Sequence, residues 1–227
     1  MRKLNSGTTY DEGMQLFGTS GIRGVVNNEF TPHFCSELAR AIGTSLPLGS
    51  RVCLANDART SSDTIKEALV SGLLSSGINA TDLGMLPTPA LALLTRELKF
   101  DAGIMITASH NPPEFNGVKL FGPNATGYDR RQEREIEQRY WAKEYRAVSW
   151  EDCGTLSTKE GAREEYFRFM EEKAQSLQLE PRLKLVVDPG NGAAGGFAEL
   201  FQRLGFAVAS INDEPDVMFL GRGPEPT

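Results

Sequence analysis

The sequence predicts an α/β protein: a three-layer α/β/α domain on a mostly parallel sheet, followed by part of a second, similar domain. Two observations lead there. Short apolar runs bounded by turn residues alternate with longer segments of helical periodicity, the pattern of strands joined by crossover helices. Thr31-Pro32 and Thr88-Pro89 each pair a capping hydroxyl with a proline suited to the first helical position. The pattern loosens around Ser149 to Ser157, so the expected division is 1–152 for the first domain and 153–227 for the partial second.

Taken in order, residues 1–15 read as a polar leader without the apolar core of a signal peptide. Phe17-Gly-Thr-Ser-Gly-Ile-Arg-Gly24 sets three glycines around two hydroxyls and an arginine, a composition that either turns the chain or lets backbone amides approach an anion. After Thr31-Pro32, residues Phe34, Leu38, Ala41, Ile42 and Ser45 line one helical face. Arg51 to Asn56 is a strand, and Asp57-Ala-Arg59-Thr-Ser-Ser62 leads into a helix striped by Ile65, Leu69 and Leu73. Arg59 reads equally as part of a solvated turn before that helix or as a cation for a site. Ile78 to Leu83 is the next strand, and a helix runs from Thr88 through Leu98. The apolar run in 101–106 follows as a buried strand. Asn116-Gly117 reads as a turn, and Val118 to Phe121 as a return strand.

Asp129 to Arg146 is a highly charged helix with a narrow stripe of Ile136 and Tyr140. A second helix is expected from Thr158 to Leu177. Leu183 to Asp188 then makes a strand, a glycine-rich turn and a helix lead to Leu204, and Phe206 to Ile211 makes another strand. The chain closes on the turn-forming string Gly221 to Thr227.

A formal charge of −6 argues against nucleic acid or an anionic membrane as the main partner, and no run approaches the length of a membrane span. A cytoplasmic protein is expected. Cys35, Cys53 and Cys153 are widely spaced, without a Cys-x-x-Cys pair, so neither a disulfide framework nor a zinc site is indicated and buried thiols are expected. An anionic substrate would need local basicity, for which Arg23, Arg59, His110 and Lys119 are available.

The densest chemistry lies just after the 101–106 strand. His110, Asn111 and Pro112-Pro113 cannot extend a sheet, so Ser109 is left in a loop at the strand's C-terminal end, where open α/β sheets place ligands. A return strand would aim Lys119 at Ser109. Hydroxyl, imidazole and ammonium together suit phosphoryl transfer, with Ser109 as carrier and His110 and Lys119 as charge or proton partners. A serine-hydrolase elbow needs glycine two places on either side, where this chain has Thr107 and Asn111. Elsewhere, Gly190-x-Gly192-x-x-Gly195 between a strand and a helix, with Asp213 downstream, fits a dinucleotide-binding oxidoreductase. From the residues alone, phosphoryl transfer, dinucleotide binding and a catalytically inactive interaction fragment all stay open.

Thr107-Ala-Ser-His-Asn-Pro-Pro-Glu-Phe-Asn-Gly-Val-Lys-Leu-Phe121 resembles the phosphoserine loop of the α-D-phosphohexomutases, the family of phosphoglucomutase, phosphomannomutase and phosphoglucosamine mutase. Phe17 to Gly24 resembles that family's N-terminal signature, and Val186 to Gly195 the opening of its second domain. The resemblance implies that Ser109 passes a phosphoryl group to and from a hexose phosphate through a bisphosphate. Arg23 would face the phosphoserine, Lys119 would serve proton transfer, and His110 would sit beside Ser109. It further implies Mg2+ held partly by the Ser109 phosphate, and a hexose 1,6-bisphosphate activator. The family's aspartate-rich metal loop and its third and fourth domains have no counterpart in these residues. The chain is therefore expected to be the N-terminal portion of a mutase, completed by missing C-terminal domains of the same protein, with their metal ligands beyond Thr227.

Overall fold

A strand buried on both faces must satisfy two apolar layers, and β2 (Arg51–Asn56) does so by alternation: Val52 and Leu54 enter one cluster, Cys53 and Ala55 the other. The computed structural model describes residues 15–19, 21–177, 182–218 and 223–224. Residues 1–14 of the expected leader 1–15, and most of the closing string, lie outside the described residues. Around β2 the six-stranded sheet adds β1 (Ile22–Val25), β3 (Asn79–Met85), β4 (Ala102–Ile106), β5 (Phe115–Phe121) and β6 (Leu156–Thr158), in the order β1-β5-β4-β2-β3-β6. Strand β2 pairs in parallel with β3 and β4, and β3 with β6, while β5 lies antiparallel between β4 and β1. Only β5 opposes the rest, so the sheet is mostly parallel as expected.

Helices α1 (Pro32–Ser45), α2 (Ser62–Ser75) and α4 (Arg130–Ala142) cover one face, where Phe34, Leu38, Ile42, Ile65, Leu69, Leu73, Ile136 and Tyr140 pack on Val52, Leu54, Ile104 and Ile106. Helices α3 (Thr88–Glu97) and α5 (Ala162–Ser176) cover the other, with Ala90, Leu91, Leu94 and Ala162 against Cys53, Ala55 and Met105. These are the three layers. One of the two expected hydroxyl caps is present: Thr31 Oγ1 accepts from Phe34 N at 3.1 Å, with Pro32 at the first helical position, whereas Thr88 is already the first residue of α3, after Pro87, and makes no side-chain cap bond. Asp129 and Gln132 close a capping box at the start of α4.

Several boundaries differ for identifiable reasons. Helix α4 stops at Ala142 because Lys143 takes a left-handed conformation (φ 55°), and Arg146 turns back to donate to the carbonyls of Gly43, Leu46 and Ser76. Strand β6 forms at the end of the stretch where the sequence pattern loosens. Its edge is fixed from outside, by Asn79 Oδ1 accepting from Thr155 N (3.0 Å) and Thr155 Oγ1 (2.9 Å). The first sheet therefore extends past residue 152, and the expected division there falls before its last strand. Strand β1 escaped notice because glycine and arginine interrupt its apolar pattern. Asn116-Gly117 is no turn but part of β5, and residues 109–114 make the reversal instead.

The second unit holds β7 (Lys184–Val187) and β8 (Ala207–Ser210) in parallel, with α6 (Ala198–Arg203). It meets α5 through Phe197, whose ring stands edge-on to Phe167 at 5.2 Å. Burial pushes the Cys35 and Cys53 thiols up to about 12, whereas Cys153 is exposed, contrary to expectation. Among the described residues no helix is long and apolar enough to cross a membrane.

Helices α1 and α2 touch at Gly72, where an added Cβ would stand 2.3 Å from Ser36 O and 2.7 Å from Ala39 Cβ. Gly72→Ala is expected to cost about 1–3 kcal/mol through overpacking. Urea denaturation measures this. Unchanged stability would mean that the helix pair separates freely.

Candidate active site

The parallel strands bring their C-terminal ends to one edge, where the loops after β2 (from Asp57), β3 (Leu86 to Pro87) and β4 (from Thr107) meet. They form an open cavity of about 460 Å³ lined by Asp57, Thr88, Met105, Thr107, Ser109 and His110 on one side. Pro189, Gly192, Ala193 and Ala194 of the second unit line it too. Ser109 is exposed and left-handed (φ 59°), an uncommon conformation for a serine. His110 Nδ1 lies 3.5 Å from Ser109 Oγ. Ser109 and His110 thus sit where the sequence put them.

What holds Ser109 there is largely Arg59, which sequence reasoning left between a solvated turn and a substrate cation. It is neither: it is 3% exposed. Nη1 donates to the carbonyls of Pro112 (2.6 Å) and Phe115 (2.9 Å), and Nη2 to those of Ser109 (3.0 Å) and Asn111 (2.7 Å). Nε donates to Asp57 Oδ2 at 3.1 Å. The same carboxylate oxygen accepts from Thr107 Oγ1 at 2.7 Å, and Thr107 Oγ1 in turn accepts from Ser109 N at 2.9 Å. Asp57 Oδ1 accepts from Arg59 N and Ser62 Oγ. Buried Asn116 closes the far end of the loop by donating to Ser61 Oγ (2.9 Å) and accepting from Gly117 N (2.8 Å). Thr107 and Asn116 were missed as functional residues. The available signal was Asp57-x-Arg59 directly after a buried strand, since such a pair at a strand end needs polar partners.

Arg23 reaches the same loop from β1, its Nη1 donating to Asn111 Oδ1 at 2.8 Å. The approach depends on Gly21, which has φ 100° and runs so close to β5 that an added Cβ would lie 2.2 Å from Val118 O. Lys119 pairs with Met105 across β4 and β5, which turns both side chains to the same sheet face. Contrary to the expectation that it is aimed at Ser109, it does not line the Ser109 cavity but another of about 260 Å³, with Thr19, Gly21 and Tyr128. Burial holds its ammonium pKa below the usual lysine value, with Arg23 adding to the effect and Asp57 opposing it.

The glycine-rich segment does not make a nucleotide site. Helix α6 begins only at Ala198 and has six residues, and Asp213 Oδ1 accepts from Gly196 N at 3.1 Å instead of standing free for a ribose. Among the described residues no group of three or more His, Cys, Asp or Glu could hold a metal ion.

A sequence model of the phosphoglucomutase/phosphomannomutase α/β/α domain I matches residues 14–147. The chain is 37% identical over 93% of its length to a Methanobrevibacter smithii protein named "Probable phosphoglucosamine mutase", covering 47% of it. A phosphoglucomutase/phosphomannomutase of Thermococcus kodakarensis is 38% identical over 93% of the chain, which covers 48% of it. The crystal structure of a phosphoglucomutase/phosphomannomutase family protein from Burkholderia thailandensis superposes with a TM-score of 0.77 at 27% identity, covering 93% of this chain and 47% of that one. The chain spans about half the length of the curated relatives it matches.

Because the folded pKa of Lys119 lies below its unfolded value, the unfolded chain binds more protons between the two, and stability rises with pH across that window. Lys119→Met removes the penalty of burying the charge. The variant is expected to be more stable than the parent at pH 7, with its advantage shrinking as pH climbs toward the ordinary lysine range. Denaturation midpoints at pH 7 to 10 check this, and a parent equally stable at pH 7 would contradict it.

Proposed function

This chain belongs to the phosphoglucomutase/phosphomannomutase family, and from that premise we propose that it carries the phosphoserine half of a phosphohexomutase site. The observation that carries the proposal is Ser109: an exposed hydroxyl in a left-handed conformation, on a loop fastened from beneath and facing an open cavity. Its Oγ attacks a phosphoryl group of a hexose 1,6-bisphosphate. The Oγ–P bond forms as the P–O bond to the sugar breaks, the serine proton leaves, and the departing sugar oxygen takes up a proton. Run backwards on the free hydroxyl of a hexose 1-phosphate, the same step makes the bisphosphate and frees Ser109, and the forward step at the 1-phosphate then releases hexose 6-phosphate and restores the phosphoserine.

Arg23 contacts the transferring phosphate in this reading, which its reach to Asn111 supports. Lys119 and His110 take acid, base or electrostatic roles. Burial lowers the pKa of Lys119, which eases release of its proton, and the 3.5 Å approach of His110 to Ser109 places an imidazole beside the nucleophile. Among the described residues no acidic cluster fits a magnesium ion, and the Ser109 phosphate is what this chain's own residues would offer one. When bound, the ion offsets charge on the phosphoryl oxygens. The names of the relatives divide among glucosamine, glucose and mannose phosphates, so the reading stops at a hexose phosphate, handled in the cytoplasm.

Incubated with glucose 1,6-bisphosphate, residues 1–227 should gain one phosphoryl group by intact mass, located at Ser109, and Ser109→Ala should gain none. Equal labelling of that variant would end the assignment. Arg23→Ala should slow uptake by about 10²–10³ while circular dichroism stays unchanged. In a coupled assay with glucose, mannose or glucosamine 1-phosphate and magnesium, this chain alone should show no multiple turnover. Turnover with any of the three would mean that the metal and sugar contacts lie within it.

A further inference from the structure

The planar guanidinium of Arg59 has five N–H donors, and the five bonds described above give each an acceptor. Four of those acceptors are main-chain carbonyls of one short loop. In a trans peptide the C=O and the following N–H point in opposite directions. With the Ser109 carbonyl turned inward onto the buried guanidinium, the His110 N–H must face outward, on the cavity side of the loop with Ser109 Oγ. Asn111 N donates to Ala108 O at 3.1 Å, whereas His110 N has no acceptor among the described residues. An amide left open beside a nucleophile is a preorganised donor for an anion formed there. Its carbonyl partner is bonded to a cation, which polarises the peptide and strengthens the donor.

We infer that Arg59 is a positioning residue for the phosphoryl group, fixing the Ser109–His110 peptide so that the His110 main-chain N–H donates to a phosphoryl oxygen on Ser109 Oγ. This rests on Ser109 being the carrier. Thr107 holds the other end of the same unit: its hydroxyl donates to Asp57 and accepts from Ser109 N, setting the residue's left-handed turn. Lysine cannot replace Arg59, since three donors on a compact ammonium cannot span four carbonyls and a carboxylate. The assignment gives His110 a role through its backbone, which any residue except proline supplies at that place.

The test uses the 227-residue chain with phosphoserine installed at position 109 during translation through an amber codon, which separates it from whether the chain takes a phosphoryl group from a sugar. In proton–nitrogen correlation spectra the His110 amide proton should move downfield on comparing Ser109 with phosphoserine 109 and show a scalar coupling to phosphorus across the hydrogen bond. The coupling should be lost in Arg59→Lys, weakened in Thr107→Val and retained in Thr107→Ser. Uptake of phosphoryl from glucose 1,6-bisphosphate by the unphosphorylated chain should fall about 10²-fold in Arg59→Lys and recover in Thr107→Ser relative to Thr107→Val. A His110 amide that is indifferent to the phosphate in the parent protein overturns the inference, with or without a folded Arg59 variant. Absence of uptake by the parent, with the coupling present in the installed phosphoserine form, would instead count against the carrier role and leave the inference standing.

Discussion

A buried guanidinium facing four carbonyls is the constraint on which the Ser109 loop depends. The segment cannot satisfy its own backbone: Pro112 and Pro113 bring no N–H, and the reversal from β4 into β5 turns several carbonyls toward the protein instead of toward a neighbouring strand. Without a donor beneath them those carbonyls would be buried and unbonded. Arg59 supplies the donors, and Asp57 balances its charge while linking it to Thr107 and so to the Ser109 amide. A loop built mainly of turn residues thereby becomes rigid, which a nucleophile needs if its approach geometry is to be set before substrate arrives.

The same logic operates one step farther out. Arg23 is useful at Asn111 only if the chain before β1 runs tightly over β5, which Gly21 permits. That entry segment is itself pinned by Glu137 of α4, whose Oε1 accepts from Leu16 N (2.8 Å) and Phe17 N (2.9 Å) across the sheet order from the site. The highly charged helix α4 thus has a polar anchor on its inner side. Across the cavity, Pro189, Gly192, Ala193 and Ala194 are small or apolar, and Phe197 beyond them packs edge-on against Phe167 of α5. Packing on α3 and α5 therefore sets where the second wall of the cavity stands relative to Ser109.

Much was fixed by the sequence, and the rest has specific physical causes. The apolar run of β2, the helical stripes of α1 and α2, and the Thr31-Pro32 helix start are local properties, so periodicity and capping chemistry reveal them without any tertiary knowledge. The placement of Ser109 was legible for the same reason: a buried strand followed by residues unable to continue it must end in a loop. Strands β1 and β6 were not legible, because each is short and owes its existence to a partner strand far away in sequence. Asn116-Gly117 misled because its turn propensity is intrinsic, whereas its buried strand conformation is imposed by Ser61, Ser62 and β1. The role of Arg59 was decided only by the fold, since a charged side chain written beside serines and threonine looks solvated until β4 and β5 lay their connecting loop over it. Sequence determines what each residue can offer; which carbonyls lie within 3 Å of a guanidinium fifty positions away is set by how the sheet brings strand ends together.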